Sequence, residues 1–344
     1  MAVPIIEGAQ SQGVGTSLKH YAANNQETNR TFNNSLVSER AMRELYLRAF
    51  EIAVKRAKPW TLMTTYNKLN GTYTSERHDL NTQILREEWG FTGVVMTDWY
   101  SGFPDQADIL DDSFINDVSA QIRAGNDLTM PGMDRQQAAV LADIESGALS
   151  MQAVDTAVTN VLKMIFKTPV AKHYAYNDQP DLTAHAQLAR QIVAQGVVML
   201  KNEDQALPLN FSHHKIAPFG VGSTHLITGG TGSSEITTKY KVSVVDGLIG
   251  NEAQVDADLV QKYKPYTQSF VAQDLASRVS KLVPFANVPE LDFTDAEIEQ
   301  AATNNTVALF TIGRNATEKF FWCAGRQPYR YSLYRRCVCG LSLL

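Results

Sequence analysis

Four short segments do most to limit what this chain can fold into: residues 13–18 (GVGTSL), 60–66 (WTLMTTY), 92–97 (TGVVMT) and 127–130 (DLTM). Their apolar residues run on without the alternation of a half-solvated strand, as expected of strands covered on both faces. The intervals carry apolar residues at helical spacing. These are 35–57, with a Ser near its start, 77–89 up to Gly90, 112–124 up to Gly125, and then about 134–146 and 150–166. Asn70-Gly71 marks a turn. Strands alternating with helices imply parallel βα units. Each strand gives way at once to a distinctive cluster: Lys19-His20, Tyr66-Asn67, Asp98-Trp99 and Met130-Pro131-Gly132. In a βα barrel that edge carries the chemistry. A full barrel takes eight units in roughly 250 residues. The four units here predict an α/β fold in which residues 1–166 form the C-terminal half of a TIM-type (β/α)8 barrel.

Residues 167–182, with Pro169 and Pro180, read as a linker. A helix starts near Thr183, a loop spans 201–209, and strands are expected at 215–221 and 306–312. A glycine-rich loop at 229–232 and a helix near 253–262 lie between them. This is a second α/β unit, 183–318. The last segment differs in kind. Residues 319–344 hold five of the 31 Lys and Arg, none of the 36 Asp and Glu, and all three cysteines (Cys323, Cys337, Cys339). Such a break in composition reads as an aberrant, frameshift-like tail. A cysteine framework or a zinc site spread through the fold is excluded by the same clustering.

A net charge of -5 argues against a nucleic-acid partner. No apolar run approaches the roughly 18 residues of a membrane helix. The start lacks the basic n-region of a signal peptide, so a cytoplasmic location is expected.

A carboxylate at the end of a buried strand is costly unless it is paired or used. Asp98 could be a nucleophile toward an anomeric carbon, with the Trp99 indole stacking on a sugar face. It could equally be a helix N-cap. Residues 19–30 (KHYAANNQETNR) are dense in hydrogen-bonding groups and suit either a polyhydroxylated ligand or a solvated loop. His20 has no second His nearby, so no metal is expected there. The Gly229–Ser234 run lacks the spacing of a phosphate loop, which disfavours a nucleotide site. No cofactor is expected.

Taken in order, these motifs resemble glycoside hydrolase family 3. Lys19-His20-Tyr21 through Asn24-Asn25-Gln26-Glu27 is similar to its Lys-His signature, and Thr65 to Gly71 (TYNKLNG) to its next strand end. Thr97-Asp98-Trp99 resembles the nucleophile motif. Gly125 to Gly132 (GNDLTMPG) resembles the last barrel strand, and Gly196 to Leu209 the start of the second domain. The resemblance implies a truncated α/β sandwich for 183–318 and a retaining hydrolysis of terminal β-D-glucosidic bonds. Asp98 would be the nucleophile, with Lys19, His20, Tyr66 and Trp99 binding the glycone. The loop after Lys19-His20 lacks the His of the N-acetylglucosaminidase branch, which points to the β-glucosidase branch with a Glu from the second domain as acid/base. Glu318 matches that position, but the Gly-x-Asp-Arg expected after it is absent. Read without the family, Glu318 is an exposed helix-end residue.

Two departures bear on activity: four βα units instead of eight, and the break after Glu318. They predict a chain with negligible turnover of its β-glucoside or oligosaccharide substrate, and self-association through exposed barrel edges. An inactive remnant and a sugar- or nucleotide-binding α/β protein without chemistry are the competing readings.

Overall fold

A computed structural model describes residues 1–27, 30–102, 116–229, 236, 238–281 and 288–313, over 271–281 by the backbone alone. The chain divides into two compact units, Met1–Gln179 and Pro180–Leu344. Glu318, the cysteines, the 319–344 segment and most of the glycine-rich loop lie outside the described residues.

The first unit opens on α1 (Ala2–Ser11), which the sequence reading did not anticipate, and β1 (Ser17–Tyr21). Next come β2 (Asn34–Ser35), α2 (Glu39–Ala41), a π-type turn (Met42–Tyr46) and α3 (Arg48–Ala57). Then follow β3 (Thr61–Thr64), β4 (Lys68–Leu69), β5 (Thr72–Tyr73), a 3-10 turn (Thr74–Glu76), a π-type helix (Asp79–Glu88) and β6 (Val94–Met96). The unit ends with α4 (Val118–Ala124), α5 (Asp134–Glu145) and α6 (Met151–Ile165). The main sheet has the order β1-β3-β6 and is parallel throughout, as the alternation requires. Asn70 (φ 50°) and Gly71 (φ 93°) close the β4–β5 hairpin with two left-handed residues, which this residue pair supplies at low cost.

Two strands differ from expectation. β1 begins at Ser17 rather than at residue 13, because Gln12 and Gly13 donate back to Ala9 and Gln10 and finish α1. The strand expected at 127–130 is a single parallel bridge, Met96 to Leu128. There the Asp127 carboxylate accepts from the Val95 amide at 2.8 Å, so a side chain takes one of the bonds a longer ladder would use.

The core lies where the helices cover this sheet: Tyr21, Leu47, Leu62, Leu80, Leu85 and Val95 are each fully buried. Burying a side chain of this size stabilises by about 1.5–3 kcal/mol. Tyr21 also fixes the end of β1. Its hydroxyl donates to the Leu80 carbonyl at 3.1 Å, and its ring meets Phe50 and Trp89 edge to face.

The second unit comprises α7 (Leu182–Gly196), β7 (Lys215–Phe219), a 3-10 turn (Val221–Ser223), α8 (Val244–Gly250), β8 (Gln254–Val255), α9 (Ala257–Lys281), α10 (Asp295–Asn304) and β9 (Val307–Phe310). Its sheet, β8-β7-β9, is again parallel. Ala217, Leu259 and Ala301 form its core with Phe219 and Phe293. Both units are therefore α/β. Among the described residues no helix is long and apolar enough to cross a membrane.

Candidate active site

Asp98 stands two residues beyond β6, and His20 is the fourth residue of β1. The strand between them is β3. Parallel strands end on the same side, so the two side chains meet across the end of β3. His20 Nε2 lies 3.4 Å from Asp98 Oδ2. The other carboxylate oxygen accepts from the Trp99 amide at 2.8 Å. Asp98 is 7% exposed, His20 is half-buried, and Trp99 is half-exposed with its ring edge-on to Tyr100. A carboxylate that accepts from a backbone amide, beside an imidazole and an exposed indole, can present an oxygen to a sugar carbon.

The remaining sequence candidates are placed as follows. Tyr66 follows β3, partly buried, with the Arg30 guanidinium 4.4 Å above its ring centre. Arg30 is itself buried and paired to Glu27 at 3.0 Å. Lys19 is exposed on β1, next to His20. Asn25 and Gln26 line a cavity of about 280 Å³ with Asn33, Ser35 and Tyr46; Asp98 is not among its lining residues. Among the described residues no group of His, Cys, Asp and Glu has the makings of a metal site.

The sequence reading missed what supports this strand end. Thr65, Thr74, Ser75, Ser101, Asn116, Gln121 and Gln136 are all polar and all at most 3% exposed. Thr74 Oγ1 donates to the Thr65 carbonyl at 3.0 Å and accepts from the Thr65 amide at 3.1 Å. Ser101 Oγ donates to the same carbonyl at 3.0 Å. Asn116 Nδ2 and Gln121 Nε2 both donate to the Ser101 carbonyl, at 2.8 and 3.0 Å. Gln136 in turn donates to Asn116 Oδ1 at 2.7 Å. Leaving one buried partner of such a set unmet costs about 1–3 kcal/mol. Nothing in the sequence flags these residues, because polar side chains near strand ends are ordinarily solvated.

A second buried anchor sits on the other side of β6. The Asp127 carboxylate accepts from Arg86 Nη2, Asn160 Nδ2 and the Val95 amide. Burial pushes its carboxyl up from the ordinary value, against the pull of Arg86. Beside the Asp98 turn, Glu76 is pushed up to about 7 by its own burial and by the Asp117 charge, with Lys68 pulling the other way.

This chain matches two family models. Residues 1–164 match the glycosyl hydrolase family 3 N terminal domain, and residues 197–332 match the family 3 C-terminal domain. Thermostable beta-glucosidase B of Acetivibrio thermocellus is 42% identical over 240 residues, 69% of this chain and 29% of that protein. The exo-alpha-(1->6)-L-arabinopyranosidase of Bifidobacterium longum is 39% identical over 263 residues, 74% of this chain and 33% of that one. The chain thus spans about a third of the length of these relatives. Among solved structures, beta-glucosidase 3B from Thermotoga neapolitana in complex with glucose is similar at a TM-score of 0.76 and 39% identity, covering 92% of this chain and 43% of that one. The chain belongs to glycosyl hydrolase family 3.

Proposed function

We propose that the Asp98 site is the nucleophile site of a retaining β-glucosidase. The observation that carries this reading is the meeting of Asp98 and His20 across β3, at the carboxyl ends of parallel strands. Asp98 attacks C1 of the glycone, the C1–O bond to the leaving group breaks, and an acid protonates the departing oxygen. Water, deprotonated by the same group, then releases the sugar. Lys19, His20, Tyr66 and Trp99 bind the glycone in this reading. Glu318 is the candidate acid/base, and the mechanism asks that it come within about 5–5.5 Å of Asp98.

We further propose that residues 1–166 form the second half of an eight-stranded barrel. The parallel order β1-β3-β6, with β1 outermost among the described residues, supports this. An open strand edge of that kind favours self-association.

The arabinopyranosidase relative favours one variation in substrate. A glycone without the C6 hydroxymethyl is the alternative to glucose.

The test is trapping. A dinitrophenyl 2-deoxy-2-fluoro-β-D-glucoside needs no general acid, because the phenolate leaves unprotonated, so the first step can be read even when turnover is slow. Intact mass should show one fluoroglucosyl group per chain, mapped by peptide sequencing to Asp98. A label elsewhere, or none with either this reagent or its arabinopyranosyl counterpart, would sink the reading. Glucose binding without labelling would favour a binding module.

A further inference from the structure

The turn that carries Asp98 is held from below at Ser101. Ser101 is 1% exposed, and its amide donates to the Asp98 carbonyl at 3.1 Å, closing the turn. Its hydroxyl donates to the Thr65 carbonyl at 3.0 Å and lies 3.3 Å from Ser75 Oγ. Its carbonyl accepts from Asn116 and Gln121. One residue thus bonds to the turn it belongs to, to the residue just before Tyr66, and to two amides arriving from elsewhere in the unit. Gln121 Nε2 also reaches Ser75 Oγ at 3.3 Å, while its Oε1 has no partner among the described residues. The amide is therefore oriented by what it donates, and it donates to this turn.

The backbone around Ser101 is not one the chain would take unaided. Tyr100 has φ 61° and Gly102 φ 85°. A Cβ at Gly102 would stand 2.8 Å from Gln121 Nε2 and 2.9 Å from Glu76 Oε1. A left-handed tyrosine persists where its surroundings over-determine it; here they include this bracket and the Met130 carbonyl, which accepts from the Tyr100 amide at 3.1 Å.

We infer that Ser101 is a positioning residue for Asp98, fixing the carboxylate against the β3 end through its hydroxyl bond to Thr65 and its carbonyl bonds from Asn116 and Gln121. The inference rests on the nucleophile reading above and deepens it. A displacement of the carboxylate by about 1 Å costs on the order of a hundredfold in rate. Trp99 lies inside the same turn and Tyr66 follows Thr65, so the bracket bears on these glycone contacts as well as on the carboxylate.

The experiment is the time course of labelling by the dinitrophenyl fluoroglucoside, with Ser101→Ala, Gln121→Leu and the unaltered full chain side by side. The limiting rate constant should fall about tenfold to a hundredfold in each variant, with the final labelled fraction unchanged. A purely structural role would instead lower the labelled fraction at an unchanged rate constant, and that result overturns the inference. Equal rate constants in all three proteins overturn it too, while leaving Asp98 as the nucleophile. An unlabelled parent chain overturns both readings. Circular dichroism identifies a variant that fails to fold, and the other variant then decides.

Discussion

Two stretches of this molecule invert the usual rule of burial, in opposite senses. Around the strand end of the first unit, Thr65, Thr74, Ser75, Ser101 and Gln121 are polar and essentially solvent-free. In the second unit, from α7 to Leu200, Ile192, Val193, Val197, Val198 and Leu200 are apolar and 60–93% exposed. The first stretch accepts the desolvation of many polar atoms and recovers most of it only in one arrangement, since its donors converge on shared carbonyls, those of Thr65 and Ser101. The second leaves its apolar side chains largely in water, so burial within its own unit adds little to its stability. Buried polar density marks what is held in place. Exposed apolar density marks what is held in reserve. The two should answer mutation differently.

The largest effect is expected at Asp98. Asp98→Asn should reduce fluoroglucoside labelling by at least about a thousandfold, since the attacking oxygen is gone. Its unfolding midpoint should stay near that of the parent, because the amide oxygen can still accept from the Trp99 amide. A variant that still labels would remove Asp98 from the chemistry. One that unfolds would make it a structural residue like Asp127.

Asp127 supplies the contrast. Asp127→Ala leaves Arg86 without its carboxylate and the Val95 and Asn160 donors without an acceptor, so about 3 kcal/mol of stability should be lost in urea titrations. A loss below about 1 kcal/mol would show that the buried anchor is replaceable.

Glu76 gives a smaller and pH-dependent effect. Its carboxyl holds its proton more tightly in the folded chain, at about 7 against an ordinary value of 4.5. The folded state therefore binds more protons than the unfolded one between those values. The stability this group contributes is complete below about pH 4.5 and is lost as pH rises through 7. Allowing for solvent screening of a partly exposed group, the parent should lose on the order of 1 kcal/mol relative to Glu76→Gln between pH 5 and pH 8. Parallel pH profiles for the two proteins would show that the fold does not raise the Glu76 carboxyl.

The legibility of these regions in the sequence follows the range of the interactions that make them. The Asn70-Gly71 hairpin was legible, because two left-handed residues in succession are a local demand that few residue pairs meet. The parallel order was legible from strand and helix alternation. Asp98 and His20 are 78 positions apart; strand ends suggested each, and only the family motifs joined them. Ser101 and Gln121 were invisible, since a serine and a glutamine look solvated until the tertiary fold dries them. Asp127 misled: a strand expected at 127–130 is a bridge, because its carboxylate does the bonding. Val197 to Leu200 continued the helical pattern by composition, yet α7 ends at Gly196 and Val197 is extended (φ -68°, ψ 129°).

The smallest effect is expected where the apolar side chains are outside. Val198 is 75% exposed and Ile192 60% exposed, so replacing either with Ser removes little surface that folding had taken from water. Substitutions at such places usually stay within about 0.5 kcal/mol, and Val198→Ser and Ile192→Ser should do so in urea titrations of this chain. Helix propensity adds little: Ile and Ser rank alike in helices, and Val198 lies beyond the end of α7. Solubility should rise, because the change breaks up an apolar face. A destabilisation above about 2 kcal/mol at either position would mean that the segment from Leu182 to Leu200 is packed in solution, and the contrast with the buried strand end would then be one of side-chain chemistry alone.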